Sequence, residues 1–156
     1  MPVSATAVRT EELAQCLFEV LTQLNLTTGR GRRRTGDLKE AEFLTLVILR
    51  GQTSMIVGDI QRLLGVLPAQ MSRLIRSLED RDHPLIACRI NPQDKRKIDV
   101  CLTDAGEKAI LDYESPRIHG IAELLNRLPE EDLEDLGRVF EKMRTLVEPD
   151  SLRSAE

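Results

Sequence analysis

Before Arg81 the apolar residues of this 156-residue chain fall in helical stretches, broken at Thr27 to Gly36, and after His83-Pro84 they recur every second position. Ile86, Cys88 and Ile90 alternate with Ala87 and Arg89. Ile98, Val100 and Leu102 alternate with Lys97, Asp99 and Cys101. Between the two runs lies the polar stretch NPQDKR. Alternation marks a strand with one apolar face, so the segment predicts a β-hairpin. At Thr103 the helical period returns. A single hairpin set among helices excludes sandwiches, barrels and alternating βα folds.

The helices before the hairpin are short and closely spaced. The run LKEAEFLTLVILR predicts a helix over 38–50, capped by Asp37 with Glu40 as its capping-box partner and ended by Gly51. Thr53 or Ser54 opens a third helix, MIVGDIQRLLG, with Ile56, Ile60, Leu63 and Leu64 inward and Gly65 closing it. After Val66-Leu67, Pro68 suits the first position of a fourth helix, because its missing N–H would have no partner there anyway. Met71, Leu74, Ile75 and Leu78 make that helix's inner stripe. Ala69, Gln70, Ser72, Arg73 and Arg76 fall outside it.

Helix, turn, helix and hairpin in that order make a winged helix. The fold class expected is mainly α with a small β-hairpin wing, flanked by helices at both ends. The N-terminal helix is expected at 8–25, with Leu13, Leu17, Val20, Leu21 and Leu24 on its stripe. A long helix capped by Thr103 should bend at Pro116. A last helix starts at Pro129-Glu130-Glu131-Asp132, with acids at its positive end and with Leu133, Leu136, Phe140, Met143 and Val147 as its stripe. The expected division is 8–25 with 104–147 as a helical dimerisation region, 37–103 as a DNA-binding domain, and 1–7 and 149–156 as flexible ends. Leu13, Leu17, Val20, Leu133, Leu136, Phe140 and Met143 are the candidate dimerisation residues, since both stripes exceed what a small winged domain can cover.

Charge locates the functional surface. The whole chain is at −4, yet residues 30–97 hold 14 Lys+Arg against 8 Asp+Glu, while the flanks stand at −2 and −8. A basic centre between acidic ends points to a polyanion. The fourth helix can lie in a major groove, Gln70 pairing with adenine and Arg73 with guanine, while Lys95, Arg96 and Lys97 at the wing tip reach phosphates or the minor groove. The candidate DNA-binding residues are Ala69, Gln70, Ser72, Arg73, Arg76, Asp94, Lys95, Arg96 and Lys97. Arg32 and Arg33 join them from the basic loop TTGRGRRRTG. Arg73 and Arg76 also suit a plain solvated helix face. Asp94, two residues from Arg96, is expected to orient its guanidinium.

Several classes fall away. Aromatics are 3% with no Trp, so base stacking on aromatic platforms is not expected. No apolar run approaches the roughly 18 residues of a membrane span, and MPVSATAVRTEEL lacks the pattern of a signal peptide. Three scattered cysteines, Cys16, Cys88 and Cys101, read as reduced thiols of a cytoplasmic protein, with Cys88 facing inward, Cys101 outward and no bridge between them. No metal site, cofactor or catalytic motif is expected.

Residues 38–106 resemble the MarR family of bacterial and archaeal winged-helix regulators. The resemblance rests on DIQRLLGVLPAQMSRLIRSLEDR and DKRKIDVCLTDAGEKAI. The family's Asp-x-Arg at the wing, followed by Leu-Thr and a helix, stands here as Asp94-Lys95-Arg96 and Leu102-Thr103. The chain departs from the family at Asp82-His83-Pro84, where a short glycine turn is usual, and at Leu67, where a capping Ser or Asp is usual. The resemblance implies a homodimer paired through its terminal helices, double-stranded palindromic DNA as partner, and usually a repressor relieved by oxidation or by a small-molecule inducer, here of unknown identity. Two other readings stay open: a winged helix serving protein interaction, and a thiol-based regulator sensing oxidants through Cys16. For Cys16, a small buried hydrophobe at a helix interface is the plainer reading.

Overall fold

The structure is a computed structural model in which residues 5–28 and 37–147 are described. In chain order the elements are α1 (Ala5–Thr28), α2 (Glu40–Leu49), β1 (Met55–Ile56), α3 (Val57–Leu64), α4 (Pro68–Glu79), β2 (Ile86–Ile90), β3 (Ile98–Leu102), α5 (Asp104–Leu125) and α6 (Glu130–Val147). They form two compact units, divided at Thr28/Gly29 and at Arg117/Ile118.

The winged unit holds α2 to β3 and α5 as far as Arg117. Its sheet is antiparallel with strand order β1-β3-β2, and the hairpin register sets Cys88 opposite Val100 and Ile90 opposite Ile98. Leu46, Leu49, Ile60, Met71, Leu78, Ile86, Val100 and Ile110 are buried together, so every helix of this unit and both wing strands contribute to one aliphatic core. Burial fades along the hairpin. Ile86 and Val100 are buried, whereas Ile90 and Ile98 keep the same parity and are exposed, because the tip projects past the body that would cover them.

Three local expectations are corrected. The third helix does not open at Thr53 or Ser54: Met55 and Ile56 form β1, paired with Val100 and Asp99 of β3, and α3 starts at Val57. A two-residue strand is too short to display a period, and what stabilises it is the otherwise open edge of β3. Asp37 is not the cap of α2. Leu38 is drawn into the core, the helix begins at Glu40, and Glu42, not Glu40, accepts the Lys39 N–H at 2.8 Å. Leu63 is exposed rather than inward. With Val57, Ile60 and Leu64 defining the inner arc of α3, at about 100° per residue Leu63 falls near a quarter turn away.

The base of the wing is tied to α5 by Thr103, as expected of a cap. Its Oγ1 accepts the Gly106 N–H at 3.0 Å and donates to the Pro84 carbonyl at 2.7 Å, and its own N–H donates to Leu85. Gly106 is buried at this crossing, and a Cβ there would collide with the Leu85 carbonyl oxygen. α2 is tied to the same helix. Arg50 forms a forked pair with Glu114 at 3.0 and 3.2 Å, with Glu107 at 3.5 Å. Phe43 stacks on Tyr113 with centroids 4.1 Å apart, and the Arg117 guanidinium lies over the Tyr113 ring, 3.5 Å from its centre.

The terminal unit contains α1, the end of α5 from Ile118, and α6. α1 extends beyond the expected 8–25 and takes in residues 5–7, which had been expected to be flexible; the end 149–156 lies outside the described residues. α5 is a single helix through Pro116. Leu13, Leu17, Val20 and Phe140 are exposed, while Leu133, Leu136 and Met143 are half-buried. No side chain of α6 is buried.

Candidate nucleic-acid interface

The amphipathic period of α4 divides its residues between core and solvent. Met71 and Leu78 are buried and Leu74 and Ile75 half-buried, which leaves Ala69, Gln70, Ser72, Arg73 and Arg76 exposed. Among the described residues, neither Arg73 nor Arg76 has an ion-pair partner. Ser72 turns its hydroxyl back to the Pro68 carbonyl at 3.1 Å. The Gln70 Oε1 accepts the Leu67 N–H at 3.0 Å. That bond occupies one face of an amide from which bidentate adenine readout was expected, and leaves its NH2 group as the free donor.

A buried carboxylate sets the far end of α4. Glu42 is 2% exposed, yet each oxygen is satisfied: Oε1 accepts the Ser77 hydroxyl, and Oε2 accepts the Lys39 N–H and the Arg81 Nη2 at 3.1 Å. One side chain near the start of α2 thus holds the last turn of α4, at Ser77, and Arg81, two residues past its end. Sequence reasoning missed this role. The available signal was a second acid, two residues after Glu40, in a largely apolar helix, where an acid cannot be buried without partners.

The wing tip is built from side chains that replace the missing ladder. Asn91 Oδ1 accepts the N–H groups of Gln93 and Asp94, both at 2.9 Å, and its Nδ2 donates to the Asp99 carboxylate at 2.9 and 3.0 Å. Asn91 and Lys97 close the turn backbone to backbone at 2.9 Å. Inside it, Asp94 Oδ1 accepts the Arg96 Nε at 3.2 Å and the Arg96 N–H at 3.1 Å, with Lys97 Nζ at 4.0 Å from Oδ2. The Arg96 side chain, as donor, and then its backbone N–H hold the Asp94 carboxyl below the usual aspartate range. The guanidinium is oriented as expected while its side chain remains 91% exposed. Lys95 is exposed beside it. Asn91 and Asp99, which pin the tip, were not singled out by the sequence.

Arg62 is a further basic residue that sequence reasoning passed over. It pairs with Asp59 on α3 and lines an open cleft of about 500 Å³ together with Ile56, Val57, Gly58, Ile98 and the wing residues Arg96 and Lys97. The first turn of α3 and the wing therefore share one basic recess. Arg32 and Arg33 lie outside the described residues.

The thiols stand apart from this surface. Cys88 packs against the core, and burial, with Glu79 close by, pushes its thiol up to about 11. Cys101 is half-exposed on the opposite strand face, across from Ala87, and all three cysteines are free. Cys16 is exposed, and Tyr113 is engaged by Phe43 and Arg117. Among the described residues no three His, Cys, Asp or Glu side chains are grouped to hold a metal, and no helix is long and apolar enough to cross a membrane.

Residues 38–98 match the MarR family. The transcriptional repressor MdtR of Bacillus subtilis is 28% identical over 110 residues, covering 70% of both chains. Among solved structures, the transcriptional regulator Tm0710 of Thermotoga maritima aligns with a TM-score of 0.68 at 18% identity, over 94% of this chain and 99% of its own. BpsR of Bordetella bronchiseptica, a protein whose DNA binding is regulated by 6-hydroxynicotinic acid, aligns with a TM-score of 0.57 at 22% identity, over 85% of this chain and 98% of its own.

Proposed function

We propose that this chain is a winged-helix transcriptional regulator of the MarR type and acts as a homodimer on a palindromic operator, where it represses transcription. The observation that carries the reading is the wing. A tip held by Asn91 and Asp99 presents an exposed, carboxylate-oriented Arg96 in the same unit as the outward-facing Gln70, Arg73 and Arg76 of α4. A helix supplying base-edge contacts and a wing supplying phosphate or minor-groove contacts is the division of labour that duplex recognition calls for. Repression rests on the likeness to MdtR. The pairing partner is a second copy, joined through the exposed stripe of α1 and the partly exposed stripe of α6. Relief by a small molecule is the corresponding proposal for the signal, with BpsR as the likeness that suggests it.

Binding to operator and to scrambled duplex at several salt concentrations tests the docking. Arg73→Ala should cost ~1–3 kcal/mol on the operator and narrow the gap to scrambled DNA. Arg96→Ala should weaken both more evenly and lower the salt slope by about one. If both variants bind as the parent does, the groove-and-wing docking is wrong and a protein-interaction role takes its place.

A further inference from the structure

The N-cap of α4 carries a leucine where helix stability favours a polar side chain. Leu67 has the extended backbone of an N-cap (φ −71°, ψ 152°), but no side chain there caps the helix. Pro68 brings no N–H, the first intrahelical bond is Met71 N–H to Leu67 O at 3.0 Å, and no acidic residue stands in the first turn. Leu67 is also 68% exposed, with Ile90 one of the two most exposed large apolar side chains of the winged unit. Its backbone is nonetheless fixed, because Gln70 Oε1 holds its N–H. Leu67 thus neither caps the helix nor is buried, and its apolar side chain is presented from an anchored position.

We infer that Leu67 reads thymine in the major groove. This rests on the DNA-binding role proposed above and names a readout beyond it. The start of a recognition helix is the part that comes nearest the base edges. The only apolar group a base pair presents there is the thymine 5-methyl. Gln70 then has two tasks: its oxygen positions Leu67, and its NH2 group stays free to donate to a neighbouring base. Arg73, one turn from Ala69 on the same exposed side of α4, supplies the charged contact. An apolar partner protein is the other occupant that an exposed leucine suits, but the unpaired arginines of the same helix favour the polyanion.

The test starts from duplexes selected out of a random-sequence library by the purified full chain. Each thymine of the selected duplex is then replaced singly by deoxyuridine, which removes only the methyl. Parent protein should lose about fourfold in affinity at one or two positions, the value of one buried methyl group. Leu67→Ser, which restores a good cap and should melt no lower than the parent, should bind thymine and deoxyuridine duplexes alike. The inference is overturned if no deoxyuridine substitution weakens the parent, or if Leu67→Ser keeps the parent's discrimination. A selection that enriches no sequence overturns sequence-specific DNA binding itself, and this readout with it.

Discussion

The two units spend their apolar residues differently. In the winged unit, leucines and isoleucines from α2, α3, α4, the sheet and α5 bury one another in one core, and Gln70, Arg73, Arg76 and the wing cations share the solvent face with a few apolar side chains such as Leu63, Leu67 and Ile90. In the terminal unit the same residue types remain in water: Leu13, Leu17, Phe18, Val20, Phe140 and Leu146 are all exposed. Composition therefore does not distinguish them; closure does. A core of helices packed on a small sheet can be completed within one chain. Long single-striped helices cannot complete theirs alone, and monomers rarely leave apolar patches of that extent uncovered. The difference is what the proposed roles, DNA for one unit and a second copy for the other, rest on.

The comparison breaks most sharply at α1. Leu13→Asp with Leu17→Asp should leave the winged unit folded and reduce the sedimenting species to the 17.6 kDa of a single chain. A parent already at that mass, or a variant still at twice it, would remove the contrast. Next in size is the complete core: Ile110→Ala should cost about 2–5 kcal/mol in denaturant unfolding, with little change in sedimentation. Glu42→Gln should cost about 1–3 kcal/mol, since an amide presents a donor where Ser77, Lys39 and Arg81 all donate. It should also lower operator affinity more than Ser77→Ala, because it frees both the start of α2 and the end of α4. The smallest effect is at Asp94. Its folded carboxyl titrates below the unfolded value of about 3.9, so its hold on Arg96 is complete above that pH and is lost as pH falls through the lower, folded value. The Arg96 Nε–H resonance should follow that titration; a midpoint at or above about 3.9 would mean that Asp94 does not hold the arginine.

What could be read from the sequence follows from how many residues share a signal. The hairpin, α4 and the cap at Thr103 were legible because a period or a cap repeats over several positions. β1 was not, because two residues cannot show a period and its partner strand lies over forty residues away. Glu42 was invisible as a clamp because its meaning depends on Ser77 and Arg81, which only folding brings to it. The wing's Asp94–Arg96 pair was legible because both partners lie in one turn, whereas the Asn91–Asp99 pair that steadies it spans the hairpin. Leu67 was noticed as a poor cap, but the Gln70 bond that fixes it belongs to the folded turn.

Gly106 carries a consequence for how such a wing can diversify. The root of the hairpin is pinned where Thr103 grips Pro84 and Leu85 and where the α5 backbone passes too close to Leu85 for any side chain. Insertions near Leu85 or Leu102 would pull these contacts apart, whereas residues added between Asn91 and Lys97 would leave the root intact and disturb only a turn held by its own side chains and the cleft beside it. The finger can therefore lengthen at its nail but not at its knuckle, and position 106 has room only for glycine.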